Sequence, residues 1–430
     1  MNADFKPTNA DGQPKYVIDW ETYGVEDAVT KLIEYAAEIR ASDVFFLSHE
    51  HYTRVAIRHL GSVREVTKFS PEFGRRAITT VKALADMDIS DRLRPGEGRR
   101  IHHRRNRPSI DLRVNSIPTV FGEDVTIRIL DREIGLLQLA DLRMPQNELN
   151  SLHALLQKPA GLILVTGPTG SGKTTTLYAC IQHLNDGHRK INTLEDPVEF
   201  IVPGVNQSQV NSKLDVDFPD LLASCLRQAP DVIMIGEIRD PVTATTAVRA
   251  ANSGHLVLAT LHAPVAVAAS QSMAAYGVNR TFLANSLLGV VSQRLVRGLC
   301  PACRLSIDVS DVPGIFDQVK AWLEPGVSPT IYAPAGCEKC LHSGYDRRIC
   351  LAEVLVVDDD LREMIIHGKS TPELHRRALE KGMIDFAQAA TLQIARGDTT
   401  MEEMFRAIPT DYLQGSGDFL RQMQEQQQGR

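Results

Sequence analysis

The sequence predicts an α/β protein built around a phosphate-cradling loop, with an α+β domain ahead of it and a cysteine-bearing, helical segment behind it. Three observations carry this. A short apolar run, Leu162 to Val165, leads into Gly167-Pro168-Thr169-Gly170-Ser171-Gly172-Lys173-Thr174, which fits G-x-x-x-x-G-K-[ST] throughout. Two further apolar strands, Asp231 to Ile235 and His255 to Ala259, each run into polar groups, which a parallel sheet gathers on its ligand edge. Four of the seven cysteines form two C-x-x-C pairs, a spacing that points to metal or redox chemistry.

The chain has 430 residues, 43% hydrophobic and 23% charged, with a net charge of −6. That is ordinary for a globular protein of two or three domains. It offers no basic field for nucleic acid. No apolar run approaches the ~18 residues that span a bilayer, and the polar N-terminus has no signal-peptide core. These features point to the cytoplasm.

Residues 1–22, rich in Asn, Asp, Gly and Pro, read as a disordered arm. Residues 23–132 read as an α+β domain. A helix from Val25 to Ile39 repeats Val29, Leu32, Ile33, Ala36 and Ile39 at helical spacing. Strands follow at Val44–Leu47 and Arg54–His59, then a helix at Thr79–Ala85. Strands at Asp111–Val114 and Val125–Leu130 flank a turn at Pro118–Gly122. The basic run Arg99–Arg107 reads as a solvated hairpin tip. Contact with a nucleotide, a neighbouring subunit or an anionic membrane is the sharper alternative. Residues 133–147 read as a linker, a hinge before a helix bearing Leu149, Leu152, Leu155 and Leu156.

Residues 148–299 carry the nucleotide chemistry. The glycines let loop N–H groups approach phosphate oxygens. Lys173 reaches the β- and γ-phosphates, and the Thr174 hydroxyl sits on Mg²⁺. A helix from Thr175 to Leu184 turns its positive end to the same phosphates. The strand Ile191–Leu194 runs into Glu195-Asp196-Pro197-Val198-Glu199. The strand before Gly236 delivers Glu237, and the third strand ends in Thr260-Leu261-His262. Residues 300–345 hold Cys300, Cys303, Cys337 and Cys340, with 33 residues between the pairs. Two such knuckles complete a closed, structural zinc site. Free thiols or a redox pair are the alternatives. Cys180, Cys225 and Cys350 sit in apolar stretches and read as core. Residues 346–410 read as helical after a strand at Leu351–Val357. Thr371-Pro372 reads as the cap and first turn of one helix, and Thr400 with Glu403 as a capping box for the last. Residues 411–430 read as a polar tail.

The stretches GLILVTGPTGSGKTTTL, TLEDPVEF, LRQAPDVIMIGEIRD and SGHLVLATLH resemble, in order, the Walker A, Asp box, Walker B and His box of the secretion and pilus-motor ATPases. ASDV at 41–44, DISDRLRPGEGR at 88–99 and DLRVNSIPTVFGEDVTIRIL from Asp111 resemble that family's front domain. The likeness spans about residues 25 to 408. It implies a RecA-like core, a PAS-like front domain, and ATP hydrolysis with Mg²⁺. It assigns phosphate binding to the loop through Thr175, the general base to Glu199, the Walker B acid to Glu237, and the report of nucleotide state to His262. Arg113 and Arg128 stand where the family sends arginines to the γ-phosphate. The tetracysteine segment favours the assembly ATPases of type II secretion and type IV pili over retraction motors. The resemblance further implies a homohexamer, peripheral on the inner face of the bacterial inner membrane, that pushes on a membrane platform protein. A motor for DNA uptake or conjugation and a non-hydrolysing ATP-binding scaffold are the rival readings. The sequence begins near the family's second front domain, and the resemblance leaves the docking partner open, a separate chain being one reading. It departs from the family pattern at Phe45, Leu60, Ala229, Ala263 and Pro264.

Overall fold

The computed structural model describes residues 20–104, 107–131, 136–308, 319 and 330–409. Most of the expected arm and linker start, the middle of the cysteine segment and the polar tail lie outside the described residues. Two compact units divide the chain.

The first unit holds most of its residues before Gly135, together with Ala335–Arg347. Its helix α1 (Val25–Glu38) is followed by β1 (Asp43–Ser48), β2 (Thr53–His59) and β3 (Ser62–Phe69). Then come α2 (Pro71–Leu84), β4 (Gly96–Arg104), β5 (Arg107–Thr119) and β6 (Gly122–Asp131). The strands form one six-stranded sheet in the order β3-β2-β1-β6-β5-β4. Val44, Phe46, Val55, Ile57, Leu112, Val114, Val125 and Ile127 join residues of both helices in one core. Because side chains alternate along a strand, the residues between them lie on the opposite face. The expected arm ends earlier than composition suggested. Trp20–Thr22 form a helical turn, and Trp20 is buried in this core because its indole is too apolar to leave in water. Strands β3 and β4 were not anticipated. Both carry too many exposed charges for their alternation to show.

The second unit holds Leu136–Pro334 and Arg348–Arg430. It begins with a turn at Leu139–Leu142 and α3 (Gln146–Leu156). The later part of the expected linker is thus packed, with Leu139 and Met144 buried against α3. There follow β7 (Gly161–Thr166), α4 (Lys173–Leu184), β8 (Ile191–Glu195), β9 (Asn206–Gln209), α5 (Phe218–Cys225) and β10 (Val232–Ile235). Then come α6 (Pro241–Asn252), β11 (Leu256–Leu261), α7 (Ala269–Ala275), α8 (Arg280–Ser286), β12 (Leu287–Leu299), and the antiparallel pair of β13 (Leu305–Asp308) and β14 (Thr330–Ala333). The last described elements are β15 (Tyr345–Val356), whose later part lies in this unit, and α9 to α12 (Asp359–Ile366, Thr371–Glu380, Phe386–Ala395, Met401–Ala407).

Seven strands form the main sheet, in the order β15-β12-β7-β11-β10-β8-β9, and pairing from β12 to β9 is parallel. Leu162 and Leu164 belong to one core, Ile163 and Val165 to the other. The sheet is therefore covered on both faces, as parallel sheets require. The strand expected at Leu351–Val357 is the later part of β15, which starts earlier and joins this sheet, and four helices follow it. The cap of α10 is Ser370, in a reciprocal box with Glu373, and not Thr371. Thr400 does cap α12, but the Glu403 carboxylate is taken by Arg297 and Arg406.

Candidate functional site

The phosphate loop is shaped by glycines where the backbone demands them. Gly167 has φ 138°, and a Cβ there would stand 2.3 Å from the Gln293 carbonyl oxygen. Gly172 has φ 91° and leads into α4, which no side chain caps. The first-turn N–H groups are therefore left for a ligand. The helix starts at Lys173, two residues before the sequence suggested, because Gly172 ends the loop. Lys173 Nζ donates to the carbonyls of Gly167 (2.9 Å) and Pro168 (3.1 Å). Burial lowers its pKa, and the field of Glu237 opposes that shift. The Ser171 hydroxyl is buried without a hydrogen-bond partner beneath the loop. These features fit a nucleotide phosphate.

Beside the loop lies a cleft of about 530 Å³. Thr169, Gly170, Gly172, Lys173, Thr174 and Thr175 line one side. Glu195, Asp196, Glu199, Glu237, Arg239, His262 and Arg348 are among the residues that line the rest. Gly167, Pro168 and Ser171 build the loop without lining the cleft. Glu237, just past the end of β10, has both oxygens engaged. His262 Nε2 lies 2.9 Å from Oε1, and Arg239 Nη2 lies 2.7 Å from Oε2. Arg239 also reaches Asp196 at 3.4 Å. Glu237 in turn raises the pKa of Arg239.

Glu195 is buried and serves as a prop. Its carboxylate accepts from the Tyr178 hydroxyl, from Thr193 Oγ1 (2.6 Å) and from Gln207 Nε2 (3.1 Å). The Tyr178 oxygen accepts the N–H groups of Glu199 and Phe200, each at 3.2 Å. Burial, then Glu195, pushes the phenol far above its usual range. Tyr178 thus stays neutral and fixes the loop that carries Glu199. Sequence reasoning missed Tyr178 and Arg239. Arg239 was visible as a cation two residues after Glu237, whereas nothing local marked Tyr178.

In the first unit, Arg113 and Arg128 are directly paired across β5 and β6. The register extends on both sides. Arg128 pairs with Asp43, Asp43 with Arg58, and Arg113 with Arg99. Five strands thus contribute one transverse row of Arg58, Asp43, Arg128, Arg113 and Arg99. Buried Asp111 holds Arg99, with Arg99 Nε 3.0 Å from Oδ1. The ends of the basic run lie in the β4–β5 hairpin; its turn is outside the described residues.

Within each C-x-x-C pair the backbone makes a tight turn, Cys303 N–H donating to the Cys300 carbonyl and Cys340 N–H to that of Cys337, and the Cys337 and Cys340 sulfurs lie 3.8 Å apart. Cys340 Sγ accepts N–H bonds from Cys337 and Gly344, both 3.2 Å. Such donors favour thiolate, the ligand form. The donor set fits zinc. Burial pushes the Cys180 and Cys350 thiols up to about 12, which leaves both inert. Among the described residues, no helix is long and apolar enough to cross a membrane.

Comparison with known proteins agrees with this geometry. The type II/IV secretion system protein family matches residues 21–406. Type II secretion system protein E of Dickeya dadantii is 39% identical over 378 residues, covering 88% of this chain and 74% of that protein. Type II secretion system ATPase E of Vibrio cholerae serotype O1 is 40% identical over 369 residues, covering 85% and 72%. The crystal structure of the pilus retraction motor PilT with bound ADP aligns with a TM-score of 0.59 at 25% identity, covering 88% of this chain and 96% of that one. The ATPase DotB of Legionella pneumophila shares the fold, with a TM-score of 0.64 at 20% identity over 88% and 93% of the two chains. With its RecA-like core and phosphate-loop cleft, the chain belongs to the type II/IV secretion system protein family and is a motor ATPase of the secretion and pilus class.

Proposed function

We propose that this ATPase works as a homohexamer on the cytoplasmic face of the inner membrane, where it drives a platform protein to assemble a type II secretion pseudopilus or a type IV pilus. The observation that carries this reading is the single cleft in which the phosphate loop, Glu199, Glu237 and His262 meet. Lys173 and the loop N–H groups bind the triphosphate, with Thr174 facing its Mg²⁺. The bound Mg²⁺ neutralises phosphate charge. Glu199 takes the proton of the attacking water, and Glu237 orients that water. Arg113 and Arg128 supply positive charge to the γ-phosphate. His262, tied to Glu237, carries the state of the site onward along β11. The four cysteines hold a structural zinc.

A Mg²⁺-dependent ATPase assay tests the reading. Glu199→Gln should slow turnover by about 10²–10⁴, the usual worth of a positioned base, while ATP binding persists. Equal turnover would remove Glu199 from its role, and no turnover by an assembled wild-type ring would leave only a scaffold that binds ATP. Metal analysis of the purified chain should find about one zinc per subunit, lost in Cys303→Ser. A folded sample without zinc would end that part of the proposal.

A further inference from the structure

The arginine row contains a buried carboxylate that the roles above leave unused. Asp43 is 4% exposed. Arg58 Nε lies 3.3 Å from its Oδ2, and Arg128 Nε lies 3.2 Å from its Oδ1. Ser42 Oγ donates to Oδ2 at 2.9 Å. The two guanidiniums therefore serve separate oxygens of one carboxylate. They are not equivalent. The Arg58 guanidinium also lies over the Phe45 ring, 5.3 Å from its centroid, so it is held from two sides. The Arg128 side chain is 62% exposed. Its other register neighbour is a cation, Arg113.

We propose that Asp43 is a positioning carboxylate that holds Arg128 along the sheet face until a phosphate group arrives, and that Arg58 is the counter-charge that keeps Asp43 paired when Arg128 leaves. The inference rests on the reading of Arg128 as a γ-phosphate ligand. Stripping a buried carboxylate of every cation is strongly unfavourable. With Arg58 and Ser42 on Oδ2, Arg128 can turn away without that penalty. Before it turns, Arg128 stands between an anion and a cation. A phosphate reaching Arg113 and Arg128 reverses that balance, because it gives both guanidiniums a doubly charged, bidentate partner. Phe45 takes part by fixing Arg58.

Two measurements on the full chain test this. In the nucleotide-free protein, Arg58→Ala and Arg128→Ala should each shift the urea midpoint slightly. The double variant should shift it by more than the sum, because only then does Asp43 lose both cations. Additive shifts would overturn the inference. In steady-state ATPase assays, Arg58→Ala should lower kcat on the order of tenfold, with KM for ATP within about twofold. Adding Asp43→Asn should recover most of the rate, because an uncharged amide no longer retains Arg128. A purely structural Arg58 would not be rescued that way. Arg58→Lys should keep most of the rate. If Arg58→Ala does not fold, Arg58→Gln, which keeps most of the stem packing, carries the same test. Wild-type turnover in Arg58→Ala, or no rescue by Asp43→Asn, would overturn the proposal while leaving Arg128 in its role. Wild-type turnover in Arg128→Ala would instead remove the arginine reading itself.

Discussion

In the second unit the charges of the cleft stand at or just past the ends of parallel strands. Glu237 is held by Arg239, two residues on, and by His262 from the end of the adjacent strand β11. In the first unit the charges form a row across five antiparallel strands, one from each strand. The difference lies in what sets the geometry. The cleft is set by strand ends and a glycine turn, which survive small shifts elsewhere. The row is set by register alone. A slip of one residue in β6 would carry Arg128 to the core face. The nucleotide cleft therefore suits binding, which must persist through a cycle, and the row suits a contact that forms and breaks.

That division is open to a direct break. Lys173→Ala should weaken binding of a non-hydrolysable ATP analogue by ~10²-fold, the worth of lost charge-assisted hydrogen bonds. Arg113→Ala should leave that affinity within a few-fold and lower turnover by about 10³, the lower end for an arginine on transferring phosphoryl charge. If Arg113→Ala weakens binding as much as it slows turnover, the row is part of the ground-state site and the contrast dissolves.

The same division explains what could be read without coordinates. The run from Gly161 to Leu184 declares strand, loop and helix in one unbroken stretch, and Glu199, Glu237 and His262 follow short apolar segments. All of them reach one cleft or its loop. Tyr178 was invisible, because its meaning depends on Glu195 and on N–H groups 21 and 22 residues away. Arg58 and Asp43 were invisible for the same reason. Strand β12 was missed because buried Ser292, Gln293 and Arg294 interrupt its apolar pattern, and an irregular register at Leu287/Gly289 breaks its period. The Ser370…Glu373 box was present in the sequence, but the adjacent Thr371-Pro372 mimicked a start one residue later.

The smallest expected effect concerns buried carboxylates with and without dedicated cations. Glu403 lies between Arg297 and Arg406. Burial raises its pKa, but the two arginines win and hold it below the usual range. Its stabilisation is thus present at neutral pH and fades as pH falls through that lowered value. Glu353 is as deeply buried. Its oxygens accept the N–H groups of Ala266 (2.8 Å) and Phe386 (3.1 Å). Burial pushes its pKa up to about 8, and Asp385 adds to the rise, while those N–H donors and Arg294 act against it. Between pH 4.5, the ordinary value, and about 8, the folded chain holds a proton that the unfolded chain has released. Stability from this group therefore falls as pH rises through that window. Glu353→Gln removes the titration. Urea midpoints of wild type minus variant should decline from pH 5 to 8 and level off above, since every group that Glu353 does not touch cancels in the difference. A flat difference would mean that the two N–H donors and Arg294 suffice to keep Glu353 ionised, and that a dedicated ion pair is not what separates the two sites.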